Sequence, residues 1–297
     1  PGVADQFEAT VVWMGDDPMY RGRNYLLRIG SQLATATIAP LKYKLNVNSL
    51  DRMAATKLEL NEIGVVDLEL DRPVAFDPYE QNRDTGAYTP DPVSSGRRAL
   101  AGIALTHLCL AARASGDTVW PGKAYQRFKD ASNMTDRFNA LAALVTTGHE
   151  LGAQALQRFH ALFKNEPLVL DKWFALQAGA PDRKGNVLPI VKQLMQHPDF
   201  NMRNPNRARS VIFSYCSANP GGFHRGDAAG YVFWSDRVIE LDAINPQVAA
   251  RLARALDRWK KLAEPLRGAA REAIARVAAK PDLSNDVREV VTRALAD

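Results

Sequence analysis

Few side chains in this chain combine the residue types and spacing that chemistry demands. His149-Glu150-Leu151-Gly152-Ala153 begins like the H-E-x-x-H helix of a zinc peptidase, but Ala153 stands where the second ligand belongs. One imidazole without an i+4 partner cannot build a two-ligand helical face, so His149 and Glu150 read as a surface pair at a helix edge. His107, His160, His197 and His224 are isolated in the sequence; each reads as a cap or packing residue, and no metal site is expected. Gly116-Asp117-Thr118-Val119-Trp120-Pro121-Gly122-Lys123-Ala124 resembles a phosphate loop only superficially. Five residues separate its glycines where four are needed, Ala124 replaces the Mg²⁺-binding hydroxyl, and Pro121 removes a backbone donor. Cys109 and Cys216 lie in apolar settings and read as buried reduced thiols. No G-x-S-x-G elbow and no Cys/His pairing is present. No catalytic residue is therefore assigned.

The elements that would position such residues change character along the chain. Phe7–Trp13, Tyr25–Gly30, Ala34–Ile38, Leu41–Val47, Ile63–Leu70 and Val74–Phe76 are short runs rich in β-branched and aromatic residues. Several alternate apolar and polar positions, the period that puts one set of side chains on each face of a strand. Close-spaced strands with turns between them predict a small antiparallel β-barrel over residues 1–88. Residues 89–96 are rich in Pro, Gly and Ser and read as a linker. From 97 to 297 apolar residues recur at i, i+3 and i+4, as in Phe138–Val145 and Leu156–Phe163. Further helices are expected over Val187–Met195, Ala208–Tyr215, Tyr231–Leu241, Pro246–Ala263, Leu266–Ala279 and Ser284–Leu295, the last opened by a Ser284 cap. Many helices of this length with short loops predict an all-α superhelical solenoid. The fold class is thus multi-domain β + α.

Charge divides at the same place. The chain has 297 residues and a formal net charge of +5, but residues 1–92 carry −5 and residues 93–297 carry +10. Hydrophobic content of 46% and charged content of 24% exclude disordered and disulfide-stapled classes. No apolar run reaches the roughly 18 residues a membrane helix needs. The basic residues of the second part are dispersed and lack an RNA-binding aromatic signature or zinc finger, so neither nucleic acid nor membrane is an expected partner. No signal-peptide pattern opens the chain, and a cytoplasmic location is expected. The chain begins at Pro1 without Met, so it is processed, trimmed or a piece of something longer.

Two resemblances follow from motifs. Val3–Met14, Leu41–Asn48, Leu58–Gly64, Leu70–Tyr79 and Asn82–Gly86 resemble the third, β-barrel domain of the bacterial sulfate adenylyltransferase large subunit, an elongation factor Tu-like GTPase. The likeness stops at Tyr88, where that family continues into one more strand, so the barrel here is expected to lack its last strand. An incomplete barrel exposes an edge with which a second copy could pair. Asn133-Met134-Thr135-Asp136, Leu168–Phe174, Asn204-Pro205-Asn206-Arg207, Asn219-Pro220, Phe223-His224, Gly230-Tyr231 and Asn245–Arg251 resemble the C-terminal helical domain of bacterial aminopeptidase N, a gluzincin zinc metallopeptidase. The chain reads as a chimera of the two.

The resemblances imply non-catalytic accessory modules. In the peptidase family the helical domain covers the active site and lines a peptide channel, and the zinc helix lies in another domain. The alternative is a part of the GTPase subunit that serves sulfate activation, or a weak peptide-binding or assembly module. No cofactor is expected in this chain; zinc belongs to the parent peptidase, and GTP and Mg to the parent GTPase subunit. Neither parent activity is expected of this chain. By resemblance, Arg207, Arg209 and Arg251 face the peptide cavity and would hold a short peptide's C-terminal carboxylate through charge-assisted hydrogen bonds. The competing reading pairs Arg207 with a structural carboxylate such as Asp171. Asn204-Pro205-Asn206 reads as a helix-opening turn, and Trp173, Phe174 and Tyr231 read as core.

Overall fold

The computed structural model describes residues 3–29, 32–46, 51–75, 78–83 and 86–296. Gly30, Val47 and Phe76 of the expected strands, and Asp84 and Thr85 beside the expected linker, lie outside the described residues. The chain separates into two compact units, Pro1–His107 with Ser132–Asn139, and Leu108–Ala131 with Ala140–Asp297.

The first unit is built on antiparallel strands β1 (Val3–Val12), β2 (Met19–Tyr20), β3 (Asn24–Ile29), β4 (Gln32–Leu45), β5 (Arg52–Met53), β6 (Lys57–Leu58) and β7 (Ile63–Ala75). The main sheet runs β1-β7-β4-β3, with β5 added to β4 and a separate β2-β6 pair. Among the described residues β1 and β3 are its free ends, so the sheet is open. Alternation acts as expected: Ala34, Ala36 and Ile38 are buried while Thr35 and Thr37 face outward. Met19 and Leu58, brought in by the β2-β6 pair, complete a core with Ile38, Val66 and Leu68.

Two expected pairs of strands are continuous. Ala34–Ile38 and Leu41–Val47 merge into β4, because the chain passes Pro40 through register shifts between Ile38 and Tyr43 rather than ending there. A bulge is where a strand tolerates a residue with no N–H. Likewise β7 runs through Pro73, opposite the register shift between Ala4 and Gln6 in β1.

The first long helix spans Pro92–Ser115 and so takes in Pro92–Gly96 of the segment read as linker. Asp91 starts it: its Oδ1 accepts from the backbone N–H groups of Val93 and Ser94, both at 3.0 Å, and Pro92 occupies the first helical position, where its missing N–H costs nothing.

The second unit is a stack of helices in which sequence neighbours pack together. Leu151–Phe163 packs on Pro167–Ala178, which packs on Val187–Met195, and Ala229–Asp242 packs on Pro246–Ala253 and Leu266–Ala278. Trp173, Phe174 and Tyr231 are buried, as expected of core. Trp234 is fully buried, and its indole N–H donates to the Leu252 carbonyl at 3.0 Å. Ser284 caps Asn285–Leu295 by accepting from Val287 N–H. The helix expected over Pro246–Ala263 instead stops at Ala253 and gives way to two short 3₁₀ turns. The second turn delivers Trp259 inward, where its indole N–H donates to the Ala294 carbonyl at 2.9 Å. An unbroken helix would carry Trp259 elsewhere, so tertiary packing overrides the local period. Among the described residues no helix is long and apolar enough to cross a membrane.

Candidate functional site

The helix Pro246–Ala253 is opened by Asn245, whose side chain accepts from Val248 N–H at 3.2 Å, with Pro246 at its first position. Asn204 and Asn219 open their helices in the same way, each followed by proline. Val248, Ala249, Leu252 and Ala253 face inward. Burial of that stripe forces Arg251 to the outside, and Arg254 and Arg258 follow it into solvent.

Arg251 and Arg254 line an open cleft of about 510 Å³ with Phe213, Cys216, Pro220 and His224. A second cleft of about 350 Å³ shares His224 and Arg254 and adds Arg258, Asp257 and Trp259. Among the described residues no carboxylate is paired with Arg251, Arg254 or Arg258. The first cleft therefore offers two guanidinium groups over a partly apolar floor; the second also carries an acid.

His224 bridges the two clefts. Its Nδ1 lies 2.8 Å from the Tyr231 hydroxyl, and burial pulls its pKa below the usual imidazole range. Its ring forms a hydrogen-bonding wall between the clefts. Cys216 also lines the first cleft, but burial pushes its thiol pKa well up. A thiol held protonated is not a nucleophile. Phe213, the last residue of the π-helical segment Arg209–Phe213, also lines the first cleft. Such a turn widens the local backbone, and π-helical turns frequently occur at functional sites.

The three arginines singled out by resemblance occupy three different settings. Arg207 is buried: its Nε donates to Asp171 Oδ1 at 2.7 Å, its Nη1 to the Asp199 carbonyl at 2.6 Å, and its guanidinium lies 4.8 Å from the Phe174 ring centre. Arg209 is exposed at the start of the π-helical segment and lines neither cleft. Arg251 lines the first cleft. Arg254, Arg258 and His224 enter the site without having been selected from sequence. The spacing 251, 254, 258 would have put the three arginines on one face of the helix expected over Pro246–Ala263, but that helix ends at Ala253, and two 3₁₀ turns carry Arg254 and Arg258 to the clefts instead.

Residues 72–296 match the family described as "Domain of unknown function (DUF3458_C) ARM repeats", and residues 6–89 match the one described as "GTP-eEF1A C-terminal domain-like". The chain is 37% identical over 210 residues to aminopeptidase N of Caulobacter vibrioides, covering 71% of this chain and 24% of that protein. It is 39% identical over 171 residues to aminopeptidase N of Escherichia coli, covering 58% and 19%. The bifunctional enzyme NodQ of Rhizobium meliloti is 46% identical over 88 residues, covering 30% and 14%. Among solved structures, Legionella pneumophila aminopeptidase A in complex with aspartic acid aligns with a TM-score of 0.64 and 28% identity, covering 73% of this chain and 26% of that one. The chain thus spans about a quarter or less of the proteins it matches.

Proposed function

We propose a function from the premise that this chain belongs to the DUF3458_C ARM-repeat family, which its residues 72–296 match: it is a non-catalytic, peptide-handling accessory module. The helical unit receives the C-terminal carboxylate of a short peptide in the cleft of Arg251 and Arg254. The observation that carries this reading is the pair of unpartnered guanidinium groups beside an apolar floor. Phe213 and Pro220 offer that floor to the peptide's last side chain. Arg207 takes no part, since Asp171 and the Asp199 carbonyl already occupy it. Arg209, exposed but outside both clefts, takes no part either. The similarity to aminopeptidases supports a peptide as the ligand. The two unpaired, buried cysteines support a cytoplasmic setting as part of the same proposal.

A hydrogen bond to a charged group contributes about 1.5–3 kcal/mol, and each 1.4 kcal/mol is about tenfold in affinity. The test is calorimetric titration of the full chain with a short peptide and with its C-terminal amide. The acid should bind about tenfold or more tightly than the amide, and Arg251→Ala with Arg254→Ala should abolish the difference. Equal affinity for acid and amide would remove the carboxylate role.

A further inference from the structure

His160 and Asp199 lie 39 residues apart in sequence, yet the helical unit brings them together with His197. His160 projects from the helix Leu151–Phe163, which buries Gly152, Ala155 and Phe159 on its other side. His197 and Asp199 sit in the turn that follows the helix Val187–Met195. His160 Nε2 lies 2.7 Å from Asp199 Oδ2, and His197 Nδ1 lies 3.7 Å from the same oxygen. The three residues can place one nitrogen or oxygen donor each within 4.8 Å of one another.

The protonation of His197 is fixed by its neighbour. The Asp199 backbone N–H donates to His197 Nδ1 at 3.1 Å. A ring nitrogen that accepts a hydrogen bond carries no proton, so Nδ1 is unprotonated, and its single lone pair points at the Asp199 N–H until an ion displaces that bond. Packed and hydrogen-bonded residues frame the cluster. Trp173 is buried, with its ring centre 5.0 Å from that of His160 and 5.3 Å from that of His197. The Asp199 carbonyl is held by Arg207, whose own charge is balanced by Asp171. The three side chains remain 26%, 28% and 36% exposed, which leaves a path from solvent and room for water ligands.

We propose that His160 Nε2, His197 Nδ1 and Asp199 Oδ2 form a three-ligand site for a divalent ion of the zinc class, with the remaining position left to water. Two imidazole nitrogens and one carboxylate suit zinc, with bonds of about 2.0–2.2 Å. Calcium and magnesium prefer all-oxygen shells. On binding, the ion replaces the hydrogen bond between His160 and Asp199 and the one accepted by His197 Nδ1. This site is separate from the arginine cleft and does not depend on the peptide reading.

The experiment is calorimetric titration of chelator-treated, dialysed full chain with Zn²⁺, accompanied by Co²⁺ as a spectroscopic probe. One equivalent should bind. His160→Gln and Asp199→Asn should each weaken binding by more than about tenfold, the low end of what even outer-sphere partners cost, while His107→Gln leaves it unchanged. Circular dichroism establishes that the variants fold. Because Trp173 touches both imidazoles, Co²⁺ should also quench tryptophan fluorescence in the unaltered chain, and Trp173→Phe should remove most of that quench. Absence of saturable one-to-one binding, binding that survives His160→Gln, or a quench that survives Trp173→Phe would each overturn the assignment.

Discussion

Removing the Arg207 side chain should destabilise the helical unit severely. The guanidinium is 6% exposed and its partner Asp171 17%. Arg207→Ala deletes the 2.7 Å bond to Asp171, the 2.6 Å bond to the Asp199 carbonyl and the cationic contact with Phe174 at 4.8 Å. Breaking a buried ion pair from one side costs about 3–5 kcal/mol, because the surviving charge stays desolvated. Asp171 retains some access to water, which places its share at the low end. Losing the contact with the Phe174 ring adds about 0.5–1 kcal/mol, so about 3–4 kcal/mol is expected. In a unit of this size each kcal/mol shifts the melting temperature by about 2–4 °C, so the helical circular dichroism signal should melt about 6–16 °C lower. Asp171→Ala, alone and combined with Arg207→Ala, completes a double-mutant cycle in which the coupling should be about 1–3 kcal/mol. A loss below about 1 kcal/mol, or two single losses that simply add, would refute the structural role. A ligand-binding Arg207 would give the opposite pattern: unchanged melting with weakened peptide affinity.

Two further outcomes follow from packing and burial. Gly230→Ala should destabilise by about 2–3 kcal/mol or more, since the added Cβ would lie 2.1 Å from the Phe223 carbonyl oxygen, a backbone atom that cannot swing aside; an unchanged melting temperature would contradict this. Desolvation raises the Cys109 pKa from 9.0 to about 11. The folded chain therefore holds that proton after the unfolded chain has released it, and the stabilisation is present below pH 9.0 and lost as pH rises toward about 11. Chemical denaturation across that window should show wild type losing stability faster than Cys109→Ala; parallel pH profiles would count against the buried thiol.

Much of the architecture was legible in the residues themselves. Alternation in Ala34–Ile38 and Ile63–Leu70 announced strands, because period two separates the faces of a sheet wherever it occurs. Ser284 announced the helix Asn285–Leu295, because a cap acts within three residues of itself. The Pro, Gly and Ser content around residue 92 marked the change from strands to helices, although Asp91 turns those very residues into a helix start. Such features are local, and local chemistry can be read along one chain.

What the tertiary structure alone decided is which charged and polar groups face each other. Arg207 and Arg251 look alike in sequence, yet one is spent on Asp171, 36 residues away, and the other lines an open cleft. Burial of Val248, Ala249, Leu252 and Ala253 settles that outcome for Arg251. His160 looked isolated because neither His197 nor Asp199 is near it in sequence, and His197 has only Asp199 close by, which is no ligand set on its own. Packing of the helix Leu151–Phe163 beside the turn that holds Asp199 brings the set together. Desolvation and ion pairing act through space, so the role of an arginine or a histidine depends on neighbours that only the fold supplies.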